Sequence, residues 1–275
     1  MVIHVAANIV VKIPAIVGVL CCIKISPKGT ILSWAWRIPF LLGGLLGVVG
    51  VYIRGKLTES PEFQEIEKHN QQAKFPFAEI LMHHKTPTIA GIFTTMFAAT
   101  CITTFYMYLP SYLIKFYSMS YFKVLSYNTF GLFVFIVSIV LWAIVADKKG
   151  INPKSIFRFS AVVIIFISIP FFTLLKYDNP LHLIAMYIVL GIGLAPALSF
   201  FVVLMTKSFP AKVRFTGVAI AYNVSFAIFA GLTPLINTVL IKELSTPIAP
   251  AYYAILAAGI GLIATFAVKF IKEED

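Results

Sequence analysis

The stretch that decides the fold runs from Ser33 to Phe63 and reads SWAWRIPFLLGGLLGVVGVYIRGKLTESPEF. Its centre, Ile38 to Tyr52, has almost no polar side chains and carries Gly43, Gly44, Gly47 and Gly50. Gly43 and Gly47 form a G-x-x-x-G pair, which lets two helix backbones approach closely in lipid. Arg37 stands before the apolar run, and Arg54 and Lys56 stand after it. Trp34, Trp36 and Tyr52 lie near its ends, where amphipathic rings favour the membrane interface. The pattern predicts a helix that crosses a bilayer and ends in a charged segment.

Composition extends this reading to the whole chain. Of 275 residues, 60% are hydrophobic and 12% charged, with 25 Phe and a mean hydropathy of +0.93. A soluble domain is nearer ~25% charged. The net charge of +11 points to basic loops at an anionic membrane surface rather than to nucleic acid, since no basic run interleaved with aromatics occurs. Cys21, Cys22 and Cys101 all fall in apolar segments and read as small hydrophobes, not as a metal or disulfide set. Met1–Lys24 has an apolar core, but no basic region before it and no small-residue cleavage site after it. A cleaved signal peptide is therefore not expected.

A membrane-spanning helix needs ~20 mainly apolar residues. Eight segments qualify: 4–23, 36–54, 86–109, 124–146, 156–176, 181–206, 215–241 and 250–270. The first is the weakest, being interrupted by Asn8, Lys12 and Pro14. The expected fold class is an all-α polytopic membrane bundle, because backbone groups in hydrocarbon must be satisfied within their own segment. One long polar linker, 55–85, interrupts the spans. There Ser60 is a candidate N-cap, Pro61 the first helical residue and Glu62 a first-turn acid, for a surface helix of about 61–70. Phe75, Phe77, Ile80 and Leu81 predict an interfacial helix leading into the next span. With this linker in the cytoplasm, fourteen of the 22 basic residues fall on the cytoplasmic side and seven on the other, with Lys12 within a span. That asymmetry favours both termini inside a cell (inner or plasma) membrane.

Three further stretches carry a family resemblance: AIVADKKGINP at 143–153, SFPAKVRFTG at 208–217 and YNVSFAIFAGLTP at 222–234. Together with W-R-I-P-F…R-x-x-L-x-E-S-P-x-F in the opening stretch, and with Leu109-Pro110-Ser111-Tyr112-Leu113, they resemble the major facilitator superfamily. More narrowly, they resemble its metabolite:proton symporter group, that of the proline/betaine transporter. The resemblance implies that the eight spans are family helices five to twelve. Residues 1–54 become the end of an N-terminal half, 55–85 the cytoplasmic linker and 86–275 a six-helix C-terminal half. It implies alternating-access proton symport of a small polar metabolite, with the proton as coupling ion and no other cofactor. It also exposes a gap, since family helices one to four are absent. The chain is then expected either to transport with a partner chain that supplies them, or to be a truncated or split-gene piece that inserts without working alone.

Candidate site residues follow from polarity inside spans, which tends to face a bundle interior or cavity. Thr103, Thr104 and Tyr106 in the third span, Asn128 in the fourth, and Tyr222 and Asn223 in the seventh are the substrate-binding candidates, with Tyr106 and Tyr222 able to stack on a quaternary ammonium group. The competing reading is that Thr and Ser bond their own helix carbonyls and that Asn223 joins two helices. By the resemblance, Asp147, Lys148 and Gly150 match a G-x-x-x-D-[RK]-x-G-R-[RK] gating loop, although Ala143, Ile151 and Asn152 depart from it. The alternative there is a solvated turn. No Asp or Glu lies mid-span, so titratable coupling groups would come from the missing half. Arg37 and Arg214 read as interface anchors, and His83 and His84 as interfacial residues without a third metal ligand. An enzyme is disfavoured for want of an acid–base or nucleophilic dyad, and a nucleotide-driven pump for want of G-x-x-x-x-G-K-[ST].

Overall fold

The computed structural model describes residues 75–177 and 179–271, together with Arg37, Leu41, Gly44, Gly47, Val48, Gly50, Val51, Tyr52 and Gly55. The chain divides into two compact units, Met1–Glu65 and Ile66–Asp275. In the first, Leu41, Gly44, Gly47, Val48, Gly50, Val51 and Tyr52 are helical and exposed. The first predicted span, Gly43 of the glycine pair and the surface helix expected at 61–70 lie outside the described residues.

The second unit is a bundle of seven helices, with no strand among the described residues. A short helix, α1 (Pro76–His83), forms where an interfacial helix was expected. Six helices long and apolar enough to cross a membrane follow: α2 (Lys85–Tyr117), α3 (Tyr121–Lys149), α4 (Pro153–Leu174), α5 (Pro180–Thr206), α6 (Ala211–Leu244) and α7 (Ala249–Ala267). They coincide with the last six spans expected from sequence. The chain is an all-α polytopic membrane protein.

Several helix ends are locally capped. Asn152 and Asn179 accept from the backbone N–H groups of Lys154 and Leu181 at 2.9 Å, which starts α4 and α5 behind Pro153 and Pro180. Ser118 and Ser245 end α2 and α6 in the left-handed conformation. Gly150 does the same for α3 with φ 58°, the conformation that favours glycine at this position.

The most enclosed span is α2, which packs against α5, α6 and α7, while α3 and α6 are the least enclosed. The buried residues of α6 are Val213, Gly217, Ala221, Ser225, Thr233, Asn237 and Ile241, so that all lie on steps of four. An ideal helix would let such a strip drift by about 40° per step. A π-helical segment, Ser225–Ala230, takes up the extra rotation and keeps the strip facing α2. On α2 a second π-helical segment, Thr103–Tyr108, sits just before Pro110.

Proline inside a span frees a carbonyl four residues back, and lipid offers it no donor. Pro196 in α5 frees Ile192, and the indole Nε1–H of Trp142 on α3 donates to that oxygen at 3.0 Å. On the next residue, the Ser160 hydroxyl of α4 donates to Gly193 O at 2.6 Å. The kink in α5 is thereby tied to both neighbours.

Candidate functional site

The candidate residues fall into two groups at different depths. The Ser225 hydroxyl of α6 donates to Ile92 O of α2 at 2.7 Å, and Asn237 Nδ2 donates to Thr104 Oγ1 at 3.2 Å. Both pairs are 133 residues apart, so α2 and α6 run parallel in one fixed register. Tyr222 and Asn223 therefore stand level with the early turns of α2. Thr103, Thr104 and Tyr106 lie more than a dozen residues further along, roughly 20 Å away at 1.5 Å per residue.

The deeper group is built on α2, α3 and α5. Tyr106 is buried, with its ring 5.0 Å from Phe135 and 6.2 Å from Tyr187. The Tyr187 hydroxyl donates to Asn128 Oδ1 at 3.5 Å, which joins two of the sequence candidates through a residue that sequence reasoning missed. Tyr187 is fully buried because Gly131 on α3 leaves room for its ring, and a Cβ at Gly131 would overlap it. Phe171 packs edge-on to Tyr187 at 6.1 Å. The result is a packed aromatic cluster with three polar tips: Tyr106 OH, Tyr187 OH and the Asn128 amide. Tyr106 OH has no hydrogen-bond partner among the described residues. Thr103, about one turn before Tyr106, is also buried.

A second polar layer lies between α2 and α6. Thr100, Thr104, Thr233 and Asn237 are all fully buried and spaced by four on each helix. Thr233 donates to its own helix at Phe229 O, while Thr100 Oγ1 and Asn237 Oδ1 have no partner among the described residues. Asn237 was not among the sequence candidates. Its signal was the stripe of small and polar residues every fourth position along α6. It, rather than Asn223, bonds a neighbouring helix.

The shallower group is more open. Tyr222 is 41% exposed and stacks between Phe201 of α5, at 6.2 Å, and Phe226, at 4.4 Å. Asn223 Nδ2 donates to Ala219 O one turn back at 2.8 Å. Its side chain lines an apolar groove of about 760 Å³ with Phe77, Thr88, Ile92 and Ile220.

Asp147, Lys148 and Gly150 form the exposed end of α3. Among the described residues Asp147 makes no ion pair. The ion pair at the bundle's end is Lys212 Nζ to Glu79 Oε1 at 2.6 Å, which links α1 to the start of α6. This hydrogen bond with Lys212 holds the Glu79 carboxyl below its ordinary value of 4.5. Nearby the His84 ring lies edge-on to Phe209 at 6.5 Å. No group of His, Cys, Asp and Glu among the described residues is arranged to hold a metal. Cys101 is buried. The interior of the bundle thus offers hydroxyls, an amide and aromatic faces. Such a set has the chemistry to orient a polar guest.

The comparisons with known proteins agree with this architecture. The Major Facilitator Superfamily pattern matches residues 14–234. The chain belongs to that superfamily. It is 30% identical over 290 residues to the glycine betaine/proline/ectoine/pipecolic acid transporter OusA of Dickeya dadantii (strain 3937), covering 97% of this chain and 52% of that protein. It is 29% identical to the inner membrane metabolite transport protein YhjE of Escherichia coli (strain K12), covering 85% and 53%. A putative proline/betaine transporter of Staphylococcus haemolyticus (strain JCSC1435) is 28% identical, covering 84% and 49%. The chain spans about half the length of these curated relatives. No solved structure matches it.

Proposed function

We propose that this chain is the C-terminal part of a secondary transporter that moves a small polar metabolite by alternating access, with a proton as coupling ion. The class of guest is a zwitterionic osmolyte such as proline or a betaine, or a small carboxylate. The observation that carries the reading is the aromatic cluster of Tyr106, Phe135 and Tyr187 with Asn128 at its edge. Aromatic faces attract a quaternary ammonium, and the hydroxyl and amide tips orient a carboxylate. The names of the relatives, transporters of proline and betaines, support the same class. Nothing is transformed chemically in this scheme. Both termini lie in the cytoplasm, and Asp147, Lys148 and Gly150 belong to a cytoplasmic gate.

A second reading rests on length. Transporters of this type bind substrate between two repeated halves near the membrane midplane. The chain spans about half the length of its relatives; in this second reading a separate chain supplies the remaining helices, or the chain inserts without transporting by itself.

One experiment tests both. Labelled proline, glycine betaine and 2-oxoglutarate are offered to cells expressing the chain alone, or with the first four helices of a full-length relative as a separate chain. Uptake that requires a pH gradient and collapses with a protonophore supports proton symport. Uptake only on co-expression supports the two-chain form. Background uptake in both arms rejects the transporter reading.

A further inference from the structure

We propose that the end of the bundle where α4 begins and α5 and α7 finish binds the phosphodiester headgroup of an anionic phospholipid. Four basic residues gather there: Lys154 and Arg158, one turn apart on α4, Lys207 just beyond α5, and Lys269 just beyond α7. Three of them are fixed in place. Lys154 Nζ donates to Val268 O at 2.6 Å. Arg158 Nε donates to Thr265 Oγ1 at 2.8 Å, and its Nη2 to Thr265 O at 3.3 Å. Ile271 N donates to Lys207 O at 3.0 Å, which sets the backbone at Lys207. The ammonium groups of Lys154 and Lys207 share one ring, Phe270, at 4.3 and 5.7 Å from its centroid. The Arg158 guanidinium stacks over Phe266 at 4.0 Å.

The cluster is charge-unbalanced. Among the described residues no Asp or Glu pairs with any of the four, and the ion pair at this end, Glu79 with Lys212, lies elsewhere. Like charges held this close repel unless an anion joins them. Lys154 keeps two donors and Arg158 its Nη1 group for such a guest. The position at the ends of spanning helices is where a bilayer places its phosphates. Beside the cations, Phe266 and Ile263 are exposed on the outer face of α7, where an acyl chain lies along the helix. A lipid satisfies both surfaces at once, and a free anion satisfies one. The inference does not depend on which metabolite is carried.

The test uses the full chain in an uncharged detergent with phosphatidylglycerol or phosphatidylcholine of matched acyl chains, and native mass spectrometry to count retained lipid. Phosphatidylglycerol is expected in excess, falling by about fivefold for each basic side chain removed. Lys207→Gln is the cleaner variant, because its ammonium makes no hydrogen bond among the described residues; Lys154→Gln is the second. Lys242→Gln, at the other end of the bundle, should leave the excess unchanged. Equal retention of the two lipids overturns the proposal, as does an excess that survives in the Lys154→Gln/Lys207→Gln double variant. Displacement of phosphatidylglycerol by millimolar inorganic phosphate would instead make this a free-anion site. The sequence continues Lys272-Glu273-Glu274-Asp275. If lipid preference is absent in the natural chain and emerges only in Glu273→Gln/Glu274→Gln/Asp275→Asn, the acidic tail is the occupant and the lipid proposal fails.

Discussion

Asn237 on α6 donates its amide N–H to the hydroxyl of Thr104 on α2 at 3.2 Å, across 133 residues of sequence and in full burial. Polar contacts between spanning helices average about 0.6 kcal/mol and reach about 1.7. This one also fixes the register that places Ser225 against Ile92. A double-mutant cycle with Asn237→Ala and Thr104→Ala, read as thermal or detergent unfolding, should give a coupling in that range. Asn237→Ala alone should cost less than an average buried polar deletion, because it also removes the partnerless Oδ1. A coupling of zero would show that the register is set by packing alone.

Trp142 on α3 supplies the donor that Pro196 withholds from Ile192 O. Trp142→Phe keeps most of the ring and removes the N–H. The carbonyl then faces hydrocarbon unpaired, at a cost of about 1–3 kcal/mol. Restoring a backbone donor with Pro196→Ala should recover much of that loss in the double variant. Pro196→Ala in the natural background should gain little, since the carbonyl is already satisfied. Unfolding midpoints of the four proteins decide the matter, and additive losses would reject the link.

These two links mark where sequence legibility ends. The spans were readable because ~20 apolar residues admit few alternatives in lipid, and Pro196 and Pro234 were visible as kinks. What satisfies the freed carbonyl was not readable, since Trp142 and Ile192 lie fifty residues apart and only packing brings them together. Polarity within a span found Tyr106 and Asn128, and the structure joins them through Tyr187. It also nominated Tyr222 and Asn223, which the α2–α6 register sets at another depth. A local motif carries no depth information until two helices are aligned. The expectation that most threonines bond their own helix holds for Thr88, Thr94 and Thr233, and does not describe Thr104, which accepts from Asn237.

The Glu79–Lys212 pair makes the docking of α1 on α6 sensitive to acid. The carboxyl of Glu79 titrates below its ordinary value of 4.5 when docked, chiefly through its hydrogen bond with Lys212. A depressed carboxylate contributes stability that is complete above the undocked value and is lost as pH falls through the docked one. The contribution is small because the pair is solvent-facing. Spin labels at Met82 and Phe215, both exposed, should therefore show a small rise in the separated population as pH falls below 4.5. In Glu79→Gln the separation should already be present at neutral pH and should not change with acid. Equal pH responses in the two proteins would assign the change to another group.

Tyr106 offers the sharpest division between structure and transport. Its hydroxyl is buried and has no partner among the described residues, at a cost of about 1–3 kcal/mol of desolvation. Tyr106→Phe removes that atom and keeps the ring against Phe135 and Tyr187. The variant should therefore unfold at a higher temperature than the natural protein. If the hydroxyl is held in reserve for substrate, the same variant should bind it about tenfold or more weakly, the worth of one hydrogen bond to a charged group. Thermal shift with and without proline or glycine betaine separates the outcomes. A more stable variant that loses its ligand-induced shift places the hydroxyl in the binding site. A more stable variant with an undiminished shift makes Tyr106 a packing residue, and a less stable one means that the hydroxyl is satisfied by water in the bundle.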